Sequence, residues 1–429
     1  MKSRTLMFIT AMTLFAALAM PVRIVAQEQQ QAEQLQHYTV VDLGPVGPPP
    51  GYAGPPSQSP GQPFAISGNG LVSGEVVLAD PAVSHAVLWK NTTLKDIGSP
   101  GLGGPNSAAW GVNIWGQAVG QADTQTPDPN GEDLCGSTAL FLTHSGNTCV
   151  PFLWQNGSMV ALPRLRSSAG TEGSNGVALK INDFGIVAGT AENGELDSSC
   201  PGEPAPAQSI EFKPVIWTKL FPWSEVHIKE LHTVDGDRDG IAFAINNLGQ
   251  VVGATGTCGP FNSIELNNLI PLHAVLWQNG KATDLGNLGG DGKFFGIFAN
   301  GLNDYGQVVG ASDITNDTSF HGFLWQQGHI TDLVPLTGDS YSIAISIANN
   351  GLVIGASITA GFIPRAVLWR NGTPTDLNAL VPADSTLNLE TACQINDKGE
   401  IIGFAALKSN PSEYHAYLAT PIVSSRDGD

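Results

Sequence analysis

Three groups of residues in this chain have the types and spacing to do chemistry. Asp235-Gly236-Asp237-Arg238-Asp239-Gly240 places alternating carboxylates ahead of a glycine. That is how a calcium loop opens: oxygen ligands converge on a hard cation, and the glycine makes the tight turn. The twelfth position is Asn246 instead of a bidentate glutamate, so calcium held by Asp235, Asp237 and Asp239 would bind weakly. The competing reading is an acidic, glycine-rich connection. The second group is the cysteines Cys135, Cys149, Cys200 and Cys258. In an oxidising compartment their simplest pairing is Cys135 with Cys149 and Cys200 with Cys258. The fifth, Cys393, reads as a buried free thiol, and no Cys/His cluster has zinc spacing. The third group is the histidines. His85, His273, His321 and His415 recur at one register of a repeat, so they cannot converge on one substrate. They read as scaffold residues that bond to the repeated aspartates Asp42, Asp96, Asp284, Asp332 and Asp376.

Nothing else looks catalytic. No carboxylate pair, nucleophile elbow or Ser/His/Asp arrangement is legible, so neither an enzyme nor a required cofactor is expected.

The elements that would position these residues come from a repeat. A pattern of the form IND.G.VVG occurs seven times, with glycine pairs at 70/74, 116/120, 185/189, 249/253, 306/310, 351/355 and 399/403. In Ile245-Asn246-Asn247-Leu248-Gly249 the Asn opens a turn and the glycine takes the left-handed position that closes it. A second block follows each copy, most clearly His273-Ala274-Val275-Leu276-Trp277, then Asn279-Gly280, then Thr283-Asp284-Leu285. Asn156-Gly157, Asn279-Gly280 and Asn371-Gly372 supply the φ > 0 pair of a two-residue hairpin. One unit therefore holds four strands. The AVLW strand is apolar at successive positions, which requires cover on both faces of its sheet, as between the blades of a β-propeller. The Trp residues at 89, 154, 217, 277, 325 and 369 read as packing between blades.

The ends of the chain decide how the ring closes. The seventh copy runs into Pro421 without its fourth strand, and that strand stands at the other end as Tyr38 to Gly44. The expected fold is an all-β, seven-bladed propeller of four-stranded antiparallel blades over 38–419, closed by the N-terminal strand. The blades are 64–98, 107–163, 176–231, 241–286, 296–333, 341–377, and 391–419 with 38–44. Residues 1–26 read as a secretory signal, 27–37 as a polar segment and 420–429 as a polar tail. The expected destination is therefore periplasmic or extracellular, without membrane insertion and as a monomer.

The combined pattern resembles the HAF-repeat family of bacterial extracellular repeat proteins. It is carried best by Leu302-Asn303-Asp304-Tyr305-Gly306-Gln307-Val308-Val309-Gly310 and by His273 to Gly290 with its Leu288-Gly289-Gly290. The resemblance implies export and a propeller-like fold, and brings no catalytic set with it. Departures fall at Trp115, in place of the usual turn residue, and at Arg164, where the acidic position is lost.

Composition narrows the partners. Thirty-eight acidic residues against 19 basic ones give a net charge of −19, which disfavours nucleic acid. In a four-stranded blade the 2–3 loops and the blade connections share one face, and the long 2–3 insertions lie between Gly120 and His273. Loops that grow on one face of a repeat scaffold often bind. The expectation is a binding or scaffold module for a protein or glycan. Its acids Asp128, Glu132, Asp133, Glu192, Glu195, Asp197 and Glu203 would favour a basic partner or cations. The alternatives are a propeller hydrolase or lyase acting on extracellular or cell-wall polysaccharide, and a purely structural envelope protein.

Overall fold

A computed structural model describes residues 37–46, 62–77, 83–98, 102–131, 146–198, 200, 210–219, 225–234, 236–258 and 269–422. The signal-like residues 1–26, most of the polar segment and most of the tail lie outside these, as do Glu132, Asp133, Cys135, Glu203 and Asp235.

Seven four-stranded antiparallel sheets form seven blades. They span 62–96, 107–161, 176–230, 239–284, 297–333, 341–376, and 387–421 with 38–46. The first strand of each blade is innermost and packs on the first strands of both neighbouring blades, blade seven on blade one included. The last blade is completed from the other end of the chain. Tyr38–Val46 runs antiparallel to Asn410–Pro421, with Tyr38 opposite Pro421 and Val46 opposite Tyr414. Among the described residues no helix is long and apolar enough to cross a membrane.

The core lies in wedges between blades. Ala86 and Leu88 of blade one pack with Ala109, Phe152 and Trp154 of blade two, and Val87 and Trp89 pack with Ile402 of blade seven. The repeated Trp residues do pack between blades. Trp217, Trp277 and Trp369 are almost fully buried, and each indole N–H donates to a carbonyl of the preceding blade connection: Pro163, His232 and Val334.

The turn chemistry follows the sequence reading. Gly70, Gly116, Gly185, Gly249, Gly306, Gly351 and Gly399 all have positive φ, as do both residues of each Asn-Gly pair. Each motif asparagine also caps its own turn; Asn246 Oδ1 accepts from the backbone N–H groups of Leu248 and Gln250. The same side chains then join blade to blade. The amide groups of Asn113, Asn182, Asn246 and Asn303 donate to the carbonyls of Asn182, Asn246, Asn303 and Ala348 in the next blade. Asn396 donates to Ser67 across the closure of the ring. One position later, the side chains of Asp183, Asn247, Asp304, Asn349 and Asp397 each accept from the equivalent backbone N–H of the preceding blade, at 2.8–3.2 Å. The IND.G motif is thus a turn and an inter-blade fastening at once. This second belt has no such acceptor at Gly68 and Ile114, which occupy the position in blades one and two.

Candidate functional site

The innermost strands share a second feature. In each blade the pairing of strands one and two shifts register at one equivalent point, 63/65, 109/111, 178/180, 242/244, 299/301, 344/346 and 392/394, and blade seven carries a second shift at 389/391. Each shift is a β-bulge whose extra residue is re-aimed out of the ladder. At the equivalent point those residues are Phe64, Trp110, Leu179, Phe243, Asn300, Ile345 and Cys393. All seven are half-buried, and all seven line one central cavity of about 510 Å³. The residue before each bulge is alanine in six blades and proline in the first, small enough to sit between packed blades.

The cavity is apolar and aromatic on one side, where Phe64 and Trp110 stack with centroids 3.9 Å apart, and polar on the other. Behind it lies an apolar cluster fed by blades two to five, including Val177, Ile241 and Phe298. Its mouth is edged by the Asx residues of the second belt, Asp183, Asn247, Asp304, Asn349 and Asp397. The carboxylates there are held by neighbours: Asn247 Nδ2 donates to Asp183, and Asn349 Nδ2 donates to both Asp304 and Asp397. Outside this belt stand Trp115, Phe184, Leu248 and Tyr305, one per blade from two to five and each at least 70% exposed. Four large apolar side chains thus stand exposed at one repeat position, with the Trp115 indole donating to the backbone carbonyl of Asp183.

Among the described residues Lys180 is the only cation lining the cavity. It follows the bulge of blade three and reaches across to blade seven, where Nζ donates to Gln394 Oε1 at 2.7 Å. Gln394 is fixed in turn, because the same oxygen accepts from Ile66 N–H. Lys180 is half-buried, and the loss of water around its ammonium pulls its pKa down to about 7, with the nearby Cys393 working the other way. Cys393 is a free thiol, and burial pushes it up to about 12, so it stays protonated.

The cavity lies at the end of the channel away from the 2–3 insertions, and the acids expected to charge the insertion face are mostly inside the protein. Asp128 is buried and accepts from Asn175 Nδ2 at 2.6 Å. Glu192 is fully buried and accepts from the backbone N–H groups of Ser174 and Asn175. Asp197 is buried beside Asp239 and 3.9 Å from Arg238. Asp128 and Glu192 satisfy backbone and amide donors of Ser174 and Asn175 where blades two and three meet, and Asp197 lies against Asp239 and Arg238 where blades three and four meet, so none of the three stands on the surface as a docking charge. Glu195 alone of the described acids remains half-exposed. The Cys200–Cys258 disulfide joins the insertions of blades three and four. Cys149 is also disulfide-bonded, and its expected partner Cys135 lies outside the described residues.

In the calcium-like segment the two described carboxylates, Asp237 and Asp239, turn to different partners. Asp237 pairs with His273 at 2.8 Å and also accepts from Thr255. Asp339 of blade six takes the same place, bonding Ser357 and Arg365, so Asp237 sits at a scaffold position. Asp239 is fully buried and accepts from Phe212 N–H at 3.0 Å. Burial first, and then Asp197 beside it, push Asp239 up to about 9, so it is a neutral acid able to donate to Asp197. The three histidines His85, His321 and His415 bond Asp96, Asp332 and Asp42 as expected, while His273 turns to Asp237 instead of Asp284.

Another buried acid faces no partner on one oxygen. Glu390 of blade seven is 7% exposed, and burial raises it to about 7. A raised folded-state pKa stabilises the protein fully below the unfolded value, and that contribution is lost as pH rises from about 4.5 through 7. Glu390→Gln should therefore leave stability unchanged near pH 4 and add about 1–2 kcal/mol above pH 8. Urea unfolding at the two pH values checks this; an equal change at both would refute the titration.

No protein-family model and no curated relative matches the sequence. Solved structures match at low similarity. The acylaminoacyl peptidase of Pyrococcus horikoshii is 11% identical with a TM-score of 0.44, over 85% of this chain and 52% of its own. This chain thus spans about half the length of that peptidase. A gluconolactonase of Xanthomonas campestris is 7% identical with a TM-score of 0.35, over 90% of each chain. A lectin of Aleuria aurantia is 11% identical with a TM-score of 0.32, over 84% of this chain and 91% of its own. At these values none of them informs function, and the blade topology stands on the strand pairing described above.

Proposed function

We propose that this chain is an exported, HAF-repeat-type propeller that works as a binding module, with its ligand site in the central cavity and rim. The observation that carries this reading is the set of seven bulges. Every blade uses the same bulge to push one side chain into the channel, yet the seven side chains are Phe, Trp, Leu, Phe, Asn, Ile and Cys. The repeat keeps what builds the scaffold and varies what faces the cavity. A concave, mostly apolar site with a few convergent polar groups is the usual form of a small-molecule pocket. The signal-like N-terminus and the Cys200–Cys258 disulfide support an oxidising destination.

A fragment screen by ligand-observed NMR tests the site, using neutral aromatic compounds against wild type and the cavity-filling variant Asn300→Trp. Fragments that bind wild type are expected to lose at least about tenfold in affinity in the variant, as a few lost apolar contacts would give. Hits that bind both proteins equally, or no hits, would sink the proposal.

A further inference from the structure

The cavity holds an amine that the scaffold does not use up. An ammonium has three N–H donors, and among the described residues Lys180 Nζ makes one hydrogen bond, to Gln394. Among the described residues no carboxylate pairs with it, and the thiol of Cys393 is its titratable neighbour. The other titratable groups lining the cavity, Asp183, Asp304 and Asp397, accept from the asparagine belt at the mouth. Those rim carboxylates disfavour an anionic ligand for Lys180. They place no such penalty on a neutral one.

From these contacts we infer, building on the cavity reading above, that Lys180 captures an aromatic or apolar aldehyde or ketone as a reversible imine. The walls contributed by Phe64, Trp110 and Phe243 would take the apolar body of the ligand. Gln394 Oε1 orients the amine, and Gln394 Nε2, which has no hydrogen bond among the described residues, is free to donate to the ligand oxygen.

The chemistry balances without a further reagent. The Nζ lone pair attacks the carbonyl carbon, and the C=O π pair moves to oxygen, which takes up a proton as nitrogen loses one. The resulting carbinolamine expels water as nitrogen forms the C=N bond. Aldehyde and amine thus give imine and water. A lysine desolvated in an apolar pocket is a suitable nucleophile for this step, and with its pKa near 7 much of Lys180 is already the free amine at neutral pH.

The test uses 2-naphthaldehyde with borohydride trapping on the full wild-type chain at neutral pH, followed by peptide mapping. An ordinary lysine is neutral in about one molecule in a thousand at that pH. Trapped adduct at Lys180 should therefore exceed the mean of the other lysines by at least about fifty-fold, and the labelling rate should level off above about pH 7 while surface lysines keep rising. Lys180→Arg and Lys180→Met should abolish this adduct. Adduct spread evenly over the lysines, or absent from Lys180, overturns the inference.

The parallel arm is 2-naphthalenemethanol, which cannot form an imine. If the alcohol binds wild type and not Asn300→Trp while the aldehyde leaves no adduct, the covalent step alone fails. If neither compound binds, the cavity reading fails too.

Discussion

Gly355→Ala should lower stability by about 3 kcal/mol or more, although it adds a single methyl group. A Cβ built at Gly355 would stand 1.9 Å from the carbonyl oxygen of Ile343 in the neighbouring strand. The obstacle is backbone, so no rotamer change relieves it. Gly355 pairs with Ala344, the last residue before the bulge that sends Ile345 into the channel. Glycine ordinarily weakens a strand, and its presence here marks a close backbone approach. The same approach recurs at Gly120, Gly189, Gly253, Gly310 and Gly403, each with a backbone oxygen at 1.8–2.0 Å. The second glycine of six of the seven motifs thus permits the bulge that lines the cavity. Gly351→Ala is the control. Its φ is +79° and the space around it is open, so only the left-handed penalty of about 1–2 kcal/mol applies. Equilibrium unfolding followed by circular dichroism compares the two. A Gly355→Ala loss no greater than that of Gly351→Ala would show that the strands can part without cost.

What sequence could and could not show divides along the range of the interactions. Turn chemistry is local: an Asn that caps its own loop and a glycine at positive φ announce themselves within five residues, so the motif, the four strands per unit and the ring could all be read. The missing fourth strand was legible for the same reason, since Tyr38 to Gly44 matches a local pattern displaced to the other end of the chain. The bulges arise from pairing between strands, and the residues they expose are the ones that differ from copy to copy. Periodicity therefore hid Phe64, Trp110 and Lys180 while it displayed the alanines beside them. The signal that could have found them was the second glycine, whose place inside an apolar strand needs a reason. Loop length misled in the opposite sense. The insertions before His273 are conspicuous, but length says nothing of burial: Glu192 turned inward to satisfy backbone donors, and Asp197 is buried beside Asp239. His273 shares the register of the other three histidines, yet its partner comes from the preceding blade connection, a neighbour no linear repeat specifies.

The largest loss is expected from removing the N-terminal strand. A chain lacking residues 37–46 should lose cooperative unfolding as a monomer or self-associate, because Asn410–Pro421 would then present an open sheet edge. Eight residue pairs join the two strands, and Tyr38 is fully buried in the core shared by blades six and seven. Truncating that one aromatic would by itself cost about 3–5 kcal/mol. The deletion also strips His415 of Asp42, its partner at 2.8 Å. Loss of the strand spreads further than its own blade, since Ile402 and Leu418 of blade seven pack against Trp89 and Val87 of blade one. The closure therefore fastens the ring on both sides of the seam. A synthetic peptide of residues 37–46 added in trans should restore the monomer and a single unfolding transition, with a midpoint that rises with peptide concentration, as binding to the native state alone requires. Size-exclusion chromatography and thermal unfolding read both effects. A truncated chain that stayed monomeric, with the wild-type midpoint and no response to the peptide, would mean that the six complete blades hold the seventh in place without its outer strand.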